Sequence, residues 1–233
     1  MTPPDNHMQK EFWPKTRRIG IVCDPPGWFQ PFAESLAEKL TVAGHPAQLL
    51  SRQGDVAEGD IAFYLSCTGI TPPELLLRNC WNLVVHASAL PEGRGFSPLV
   101  WQTLEGKTTI PLTMISMAED VDTGDILMRR DLELGGHELN DEMRDAMGRA
   151  IVQMCFDFAT APSPPEPQAQ KGAGSWYPRR GPADSVLDPE KTISEQFDLL
   201  RVVDNENYPA FFNLRGHRYT LYIHRETPED KNS

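Results

Sequence analysis

Between Arg18 and His86 the chain alternates short apolar runs with segments of helical periodicity, and few folds accept that order. Arg18 to Asp24 reads as a buried strand ended by the breaker Pro25-Pro26-Gly27. Phe29, Phe32, Ala33, Leu36, Leu40 and Ala43 then recur at helical spacing, with Gly44 as a stop. Ala47 to Leu50 and Asp60 to Ser66 are further strands, Pro72 to Arg78 a helix, and Trp81 to His86 a fourth strand. Strands separated by helices predict an α/β architecture: a mostly parallel, Rossmann-like sheet with helices on both faces. Ligands of such sheets gather beyond the carboxyl ends of the strands. Ser66 and His86 both fall there.

Pro98 to Glu105 continues as a helix, Ile110, Leu112 and Met114 alternate in a strand, and Leu127 to Leu134 is another strand. Met143, Met147, Ala150, Ile151 and Met154 form a helical stripe, which is the pattern of a core-facing surface rather than of a binding site. The proline run from Ala161 to Pro167, extended by small and polar residues to Ser175, predicts a linker. Beyond it, Ile193 to Val202 has helical character. Two apolar strands flank the turn Arg215-Gly216-His217 as a β-hairpin. The expected organisation is a catalytic domain over 17–160, a linker over 161–175 and a small C-terminal α+β appendage over 176–226. Residues Thr227 to Ser233 are expected to fray.

Charge narrows the partners. At 233 residues with a net charge of −11, the chain lacks the basic surface that nucleic-acid binding normally requires. Its early basic residues, Lys15, Arg17 and Arg18, read as strand flanks. No apolar run approaches the roughly 18 residues of a membrane span, and the polar Met1 to Asn6 lacks the order of a signal peptide. The four cysteines, Cys23, Cys67, Cys80 and Cys155, form no CxxC pair, which suits reduced thiols in the cytoplasm and predicts no metal centre.

Against this background His86 stands out, because the run Leu83-Val84-Val85 delivers it to a strand end. The turn Gly93-Arg94-Gly95 follows, and after a further helix and strand comes Asp122-Thr123-Gly124-Asp125. A histidine after an apolar strand is ordinarily structural, and Asp-Thr-Gly is a common turn. Together they can also form an acid/base pair, in which a carboxylate holds the imidazole and favours its charged form. Asp122 is the expected carboxylate and Asp125 the alternative.

The ordered set His86-Ala87-Ser88, Leu90-Pro91, Gly93-Arg94-Gly95, Pro98, Gly106 and Asp122-Thr123-Gly124-Asp125-Ile126 resembles the signature of formyltransferases that use 10-formyltetrahydrofolate. The resemblance implies their fold, a folate formyl donor, and His86 and Asp122 as the catalytic pair. It implies a pterin pocket lined by Ser66, Cys67, Thr68, Ile70 and Val121, with Ser88, Arg94 and Gly95 facing the acceptor. Arg94 would either reach the acceptor or brace its loop. The run Asn82 to Pro98 is similar to a subgroup linked to amino sugars of the pseudaminic-acid type. Trp176 to Ser185 is similar to the segment that follows the catalytic domain in sugar formyltransferases, which implies an amino sugar or sugar nucleotide as acceptor. There Arg179 and Arg180 would hold phosphates, or else serve as solvated or ion-paired linker residues. A homodimer through the hairpin is also compatible with the sequence.

One position departs from the pattern. Where the family places an asparagine two residues before the histidine, this chain has Val84, which has no donor for the oxyanion. Asn82 lies on the same strand face, roughly 6–7 Å farther back. The resemblance also leaves open a hydrolase of 10-formyltetrahydrofolate or a methionyl-tRNA formyltransferase, and the departure at Val84 a catalytically silent protein that binds folate or nucleotide.

Overall fold

The computed structural model describes residues 13–226. Met1 to Asn6 and the expected fraying of Thr227 to Ser233 lie outside the described residues. A six-stranded sheet of order β2-β1-β3-β4-β6-β7 forms the centre. β1 (Ile19–Val22), β2 (Ala47–Leu50), β3 (Gly59–Tyr64) and β4 (Asn79–His86) run parallel. β6 (Thr109–Ser116) is antiparallel to β4, and β7 (Ile126–Glu133) is antiparallel to β6. Five of the six strands therefore share one direction, the mostly parallel sheet expected.

Alternation along the strands sorts the apolar residues onto two faces. Ile19, Ile21, Ile61, Phe63, Trp81 and Leu83 face the main core, where helices α1 (Gln30–Val42) and α4 (Asn140–Thr160) also pack. The α1 stripe Ala33, Leu36 and Leu40 is fully buried, and Gly44, at φ +89°, ends the helix as only glycine does readily. The methionine stripe of α4 is core, with Met143, Met147 and Met154 all buried. Gly148 lets α4 approach α1 closely, since a Cβ there would lie 2.7 Å from the Phe32 ring. The opposite face carries Val22, Leu50, Val56, Ala62 and Tyr64 under the short helix α2 (Pro73–Leu76), about half the helix expected there.

The C-terminal part packs beside α3 (Pro98–Leu104) and α4. Its small core joins Leu187, Leu200, Val203 and Ala210. Residues expected as one helix over Ile193 to Val202 form a 3-10 turn followed by α5 (Phe197–Val202). The hairpin β9 (Ala210–Leu214) and β10 (His217–Leu221) turns through Arg215 and Gly216, both at positive φ. Arg144 of α4 ties this part down through Asp204 at 2.9 Å.

Burial pushes the Asp204 carboxyl up, but N–H groups of Asn207 and Glu206 and the Arg144 guanidinium outweigh it and hold the group at about 2. A depressed carboxyl stabilises the fold above its unfolded value of about 3.9 and ceases to do so as pH falls through its folded value. The C-terminal part should therefore loosen between pH of about 4 and about 2. Amide exchange over 197–221 measured against pH checks this, and Asp204→Asn should remove the transition.

Candidate active site

β4 ends in His86, a buried side chain held at both ring nitrogens. Nε2 lies 2.8 Å from the carbonyl oxygen of Gly93. A carbonyl only accepts, so Nε2 carries a hydrogen. Nδ1 faces Oδ1 of Asp122 at 3.5 Å, a contact that becomes an ion pair only when the imidazole is protonated. With Nε2 donating, Nδ1 is the atom able to take up a proton. Asp122 stands where it stabilises the imidazolium that results.

The Asp122 turn is built from its own residues. Asp122 sits at φ +57°, a left-handed conformation that aspartate tolerates better than most side chains. Its Oδ2 accepts the Gly95 N–H at 2.9 Å, and Thr123 Oγ1 donates to Asp120 O at 2.8 Å. At Gly124 no side chain fits, because a Cβ would lie 1.6 Å from Ser116 O. Asp125 points its backbone N–H at Ser116 Oγ, and the carboxylate within ion-pair distance of His86 is that of Asp122.

Residues that carry no sequence signal complete the arrangement. Gln170 donates from Nε2 to Asp122 O at 2.8 Å and to Gly124 O at 2.9 Å, and its Oε1 accepts from Arg94 at 2.7 Å. Ser175 Oγ accepts the Gly93 N–H, and β5 (Arg94–Gly95) pairs with β8 (Trp176–Tyr177). The proline-rich segment thus straps both loops of the pair together. Its tether lies among glutamine, alanine and glycine, where no periodicity marks it.

Each remaining expected residue has a defined place. Ser88 is buried and donates to Glu92 O, while its own carbonyl accepts from Thr113. Arg94 engages Gln170 through Nη2, the bracing geometry. Arg179 lies 4.3 Å from the Phe96 ring centroid and Arg180 5.5 Å from that of Trp101. Burial lowers the Arg180 guanidinium and Asp184 raises it. Beyond β3, Ser66 takes φ +60°, and Cys67 donates to Val22 O. Thr68 N–H donates to Asp24 O. Burial pushes the Cys67 thiol up to about 11, so it remains a neutral thiol at physiological pH. Ile70 and Val121 are exposed at 81% and 47%, open apolar surface beside the strand ends.

Val84 has a packing role. It contacts the buried Leu90, Ile115 and Ile126, a small apolar cluster under the loop that follows His86. Asn82 does not stand in for the missing amide, because its Nδ2 donates to Leu76 O at 2.7 Å and Asn79 O at 3.2 Å. Val84→Asn should therefore cost about 1 kcal/mol of stability, since a half-buried side chain loses its apolar contacts. Urea denaturation of the variant checks this.

Among known proteins, the model of the formyl transferase family matches residues 30–154, more than half of the chain. The chain belongs to the formyl transferase family. Solved structures show the shared fold. Methionyl-tRNA formyltransferase from Clostridium thermocellum superposes with a TM-score of 0.73 at 23% identity, over 86% of this chain and 90% of that one. A sugar N-formyltransferase from Shewanella gives 0.63 at 15% identity, over 91% and 99%. HypX from Aquifex aeolicus, solved with tetrahydrofolic acid, gives 0.70 at 16% identity, and this chain spans 37% of its length. In this formyl transferase, His86 and Asp122 lie within or beside the strands of the matched region, whereas Gln170 and Ser175 lie outside it. Among the described residues no cluster of potential metal ligands occurs, and no helix is long and apolar enough to cross a membrane.

Proposed function

We propose that this protein transfers a formyl group from 10-formyltetrahydrofolate to the amine of an amino sugar or sugar nucleotide. The observation that carries the reading is the His86–Asp122 pair, clamped by Gly93 and Gly95 at the end of β4. An amine that attacks the formyl carbon becomes cationic as the bond forms and must lose a proton. Nδ1 of His86 receives it, and Asp122 balances the charge.

The residues suit a folate. Tyr64 Oη and Asn82 Oδ1 are buried without hydrogen-bond partners, on adjacent strands of the face below the segment Ser66 to Ile70. Burial pushes the Tyr64 hydroxyl up to about 12, so it remains a donor. A pterin carries both donors and acceptors, and Tyr64, Asn82, Ser66, Cys67, Thr68, Ile70 and Val121 are the residues that would hold it. When bound, the folate supplies an activated formyl group.

An amino-sugar acceptor, of the pseudaminic-acid type by sequence likeness, is supported by the net charge of −11, which disfavours tRNA. Arg179 and Arg180 lie over aromatic rings, and since Arg180 Nη2 donates to Asp184 O, the other guanidinium N–H groups are those that would hold phosphate. The unlinked cysteines suit a cytoplasmic setting. Exposed Leu214, Tyr219 and Tyr222 of the hairpin region offer a surface to a second copy.

Tetrahydrofolate release, followed with and without an amino-sugar nucleotide, tests the proposal. Release that depends on acceptor supports transfer, whereas equal release in its absence means hydrolysis. The apolar packing of Val84 favours a second reading, a protein that binds folate without turnover. Calorimetric binding with no release under either condition would establish it.

A further inference from the structure

A cavity of about 380 Å³ opens beside the Gly93–Gly95 loop, and neither His86 nor Asp122 lines it. Its walls include Ser88, whose hydroxyl is taken up by Glu92 O, Glu92 and Gly93 from the loop, Glu105 and Lys107 after α3, and Trp176 and Tyr177 from β8. Tyr177 donates its hydroxyl to Glu105, 2.8 and 3.0 Å from the two carboxylate oxygens, and Lys107 approaches Glu105 at 2.8 Å. The Tyr177 ring is fixed by stacking on Trp101, with centroids 6.0 Å apart. The Lys107 contact, with the Tyr177 hydroxyl, holds the Glu105 carboxyl below its ordinary value despite partial burial.

One charge in this cavity is left to solvent. The Glu92 carboxylate makes no hydrogen bond or ion pair among the described residues, while the single cation, Lys107, is already paired with Glu105. Trp176 leaves 53% of its surface exposed at the mouth. A free carboxylate beside open aromatic surface suits a positively charged group on a flat-sided molecule, by ion pairing together with ring contact.

We propose that this cavity is a second binding site, for a small hydroxylated amine such as an amino sugar. Its ammonium pairs with Glu92, and its ring lies against Trp176. The site would communicate with the catalytic pair through two backbone groups. Gly93 lines the cavity and gives its carbonyl to His86, and the neighbouring Gly95 gives its N–H to Asp122. A ligand that settles the loop would settle the pair.

The test uses the full chain without folate, so its failure leaves the proposed formyl transfer untouched. Glucosamine is titrated while the indole N–H resonance of Trp176 is followed, and glucose serves as the uncharged control. Glucosamine should shift that resonance saturably, and binding should weaken about tenfold in Glu92→Gln and for glucose, as expected for loss of one charge-assisted hydrogen bond. Glu92 is exposed, so its variant should keep the fold, which the dispersion of the other resonances verifies. Equal binding of both sugars, an unaltered affinity in Glu92→Gln, or no saturable shift would overturn the proposal.

Discussion

Replacing Gly124 by alanine should disable the site from a position that carries no chemistry. The new Cβ would lie 1.6 Å from Ser116 O and 2.7 Å from its carbonyl carbon. Both are backbone atoms of β6, so no side chain can move aside to relieve the overlap. The turn must shift, and it would pull on the Ser116 N–H bond to Asp125 O and on the Gln170 bond to Gly124 O. Loss of about 2–4 kcal/mol is expected, in the upper range for point substitutions. For a chain of this size the thermal midpoint should fall by about 2–4 °C per kcal/mol. Because Asp122 lies two residues away, a displacement of about 1 Å should also lower formyl transfer roughly 10²-fold. Gly27→Ala, with no atom within 4 Å of the added Cβ, is the control and should change neither quantity. An unchanged midpoint in Gly124→Ala would mean that the turn is not held as described.

His86→Asn should separate chemistry from folding in the opposite sense. The ring's bond to Gly93 O is one hydrogen bond, worth about 1 kcal/mol net, so the midpoint should move only slightly. Removal of the group that takes up the proton should lower kcat by about 10²–10⁴-fold. The reason lies in the tautomer. Nε2 is held by a carbonyl, and Nδ1 is the ring atom paired with Asp122. An asparagine amide overlays Nδ1, falls short of Gly93 O, and cannot become cationic opposite Asp122. A kcat within a few fold of wild type would remove His86 from the reaction. An equal fall in kcat and thermal midpoint would assign it to the fold instead.

Much of the scaffold was legible because it rests on local periodicity. Short apolar runs marked β1 to β4, alternation marked β6, and the helical stripe marked α4, where Met143, Met147 and Met154 are buried as core. The His86 and Asp122 pairing was legible only as a motif, since 36 positions separate residues that a sheet edge and a turn bring together. The strap escaped. Gln170 reaches Asp122 across a separation of 48 residues from an irregular segment, and neither hydropathy nor spacing encodes such a contact. Val84 shows the same limit from the other side. In sequence it is a missing donor, whereas in three dimensions it is the apolar partner of Leu90, Ile115 and Ile126. Arg179 and Arg180 read in one dimension either as phosphate ligands or as solvated or ion-paired linker residues, and the fold lays them over Phe96 and Trp101.

Mass spectrometry of acceptors is the most direct test of formyl transfer by this pair. The purified protein is incubated with 10-formyltetrahydrofolate and a panel of amino sugars and amino-sugar nucleotides. The wild-type protein should add one formyl group to the amine of at least one panel member, and His86→Asn should abolish that product within the same interval. Formylation of no panel member by the wild-type protein, or equal formylation by both proteins, would contradict the account.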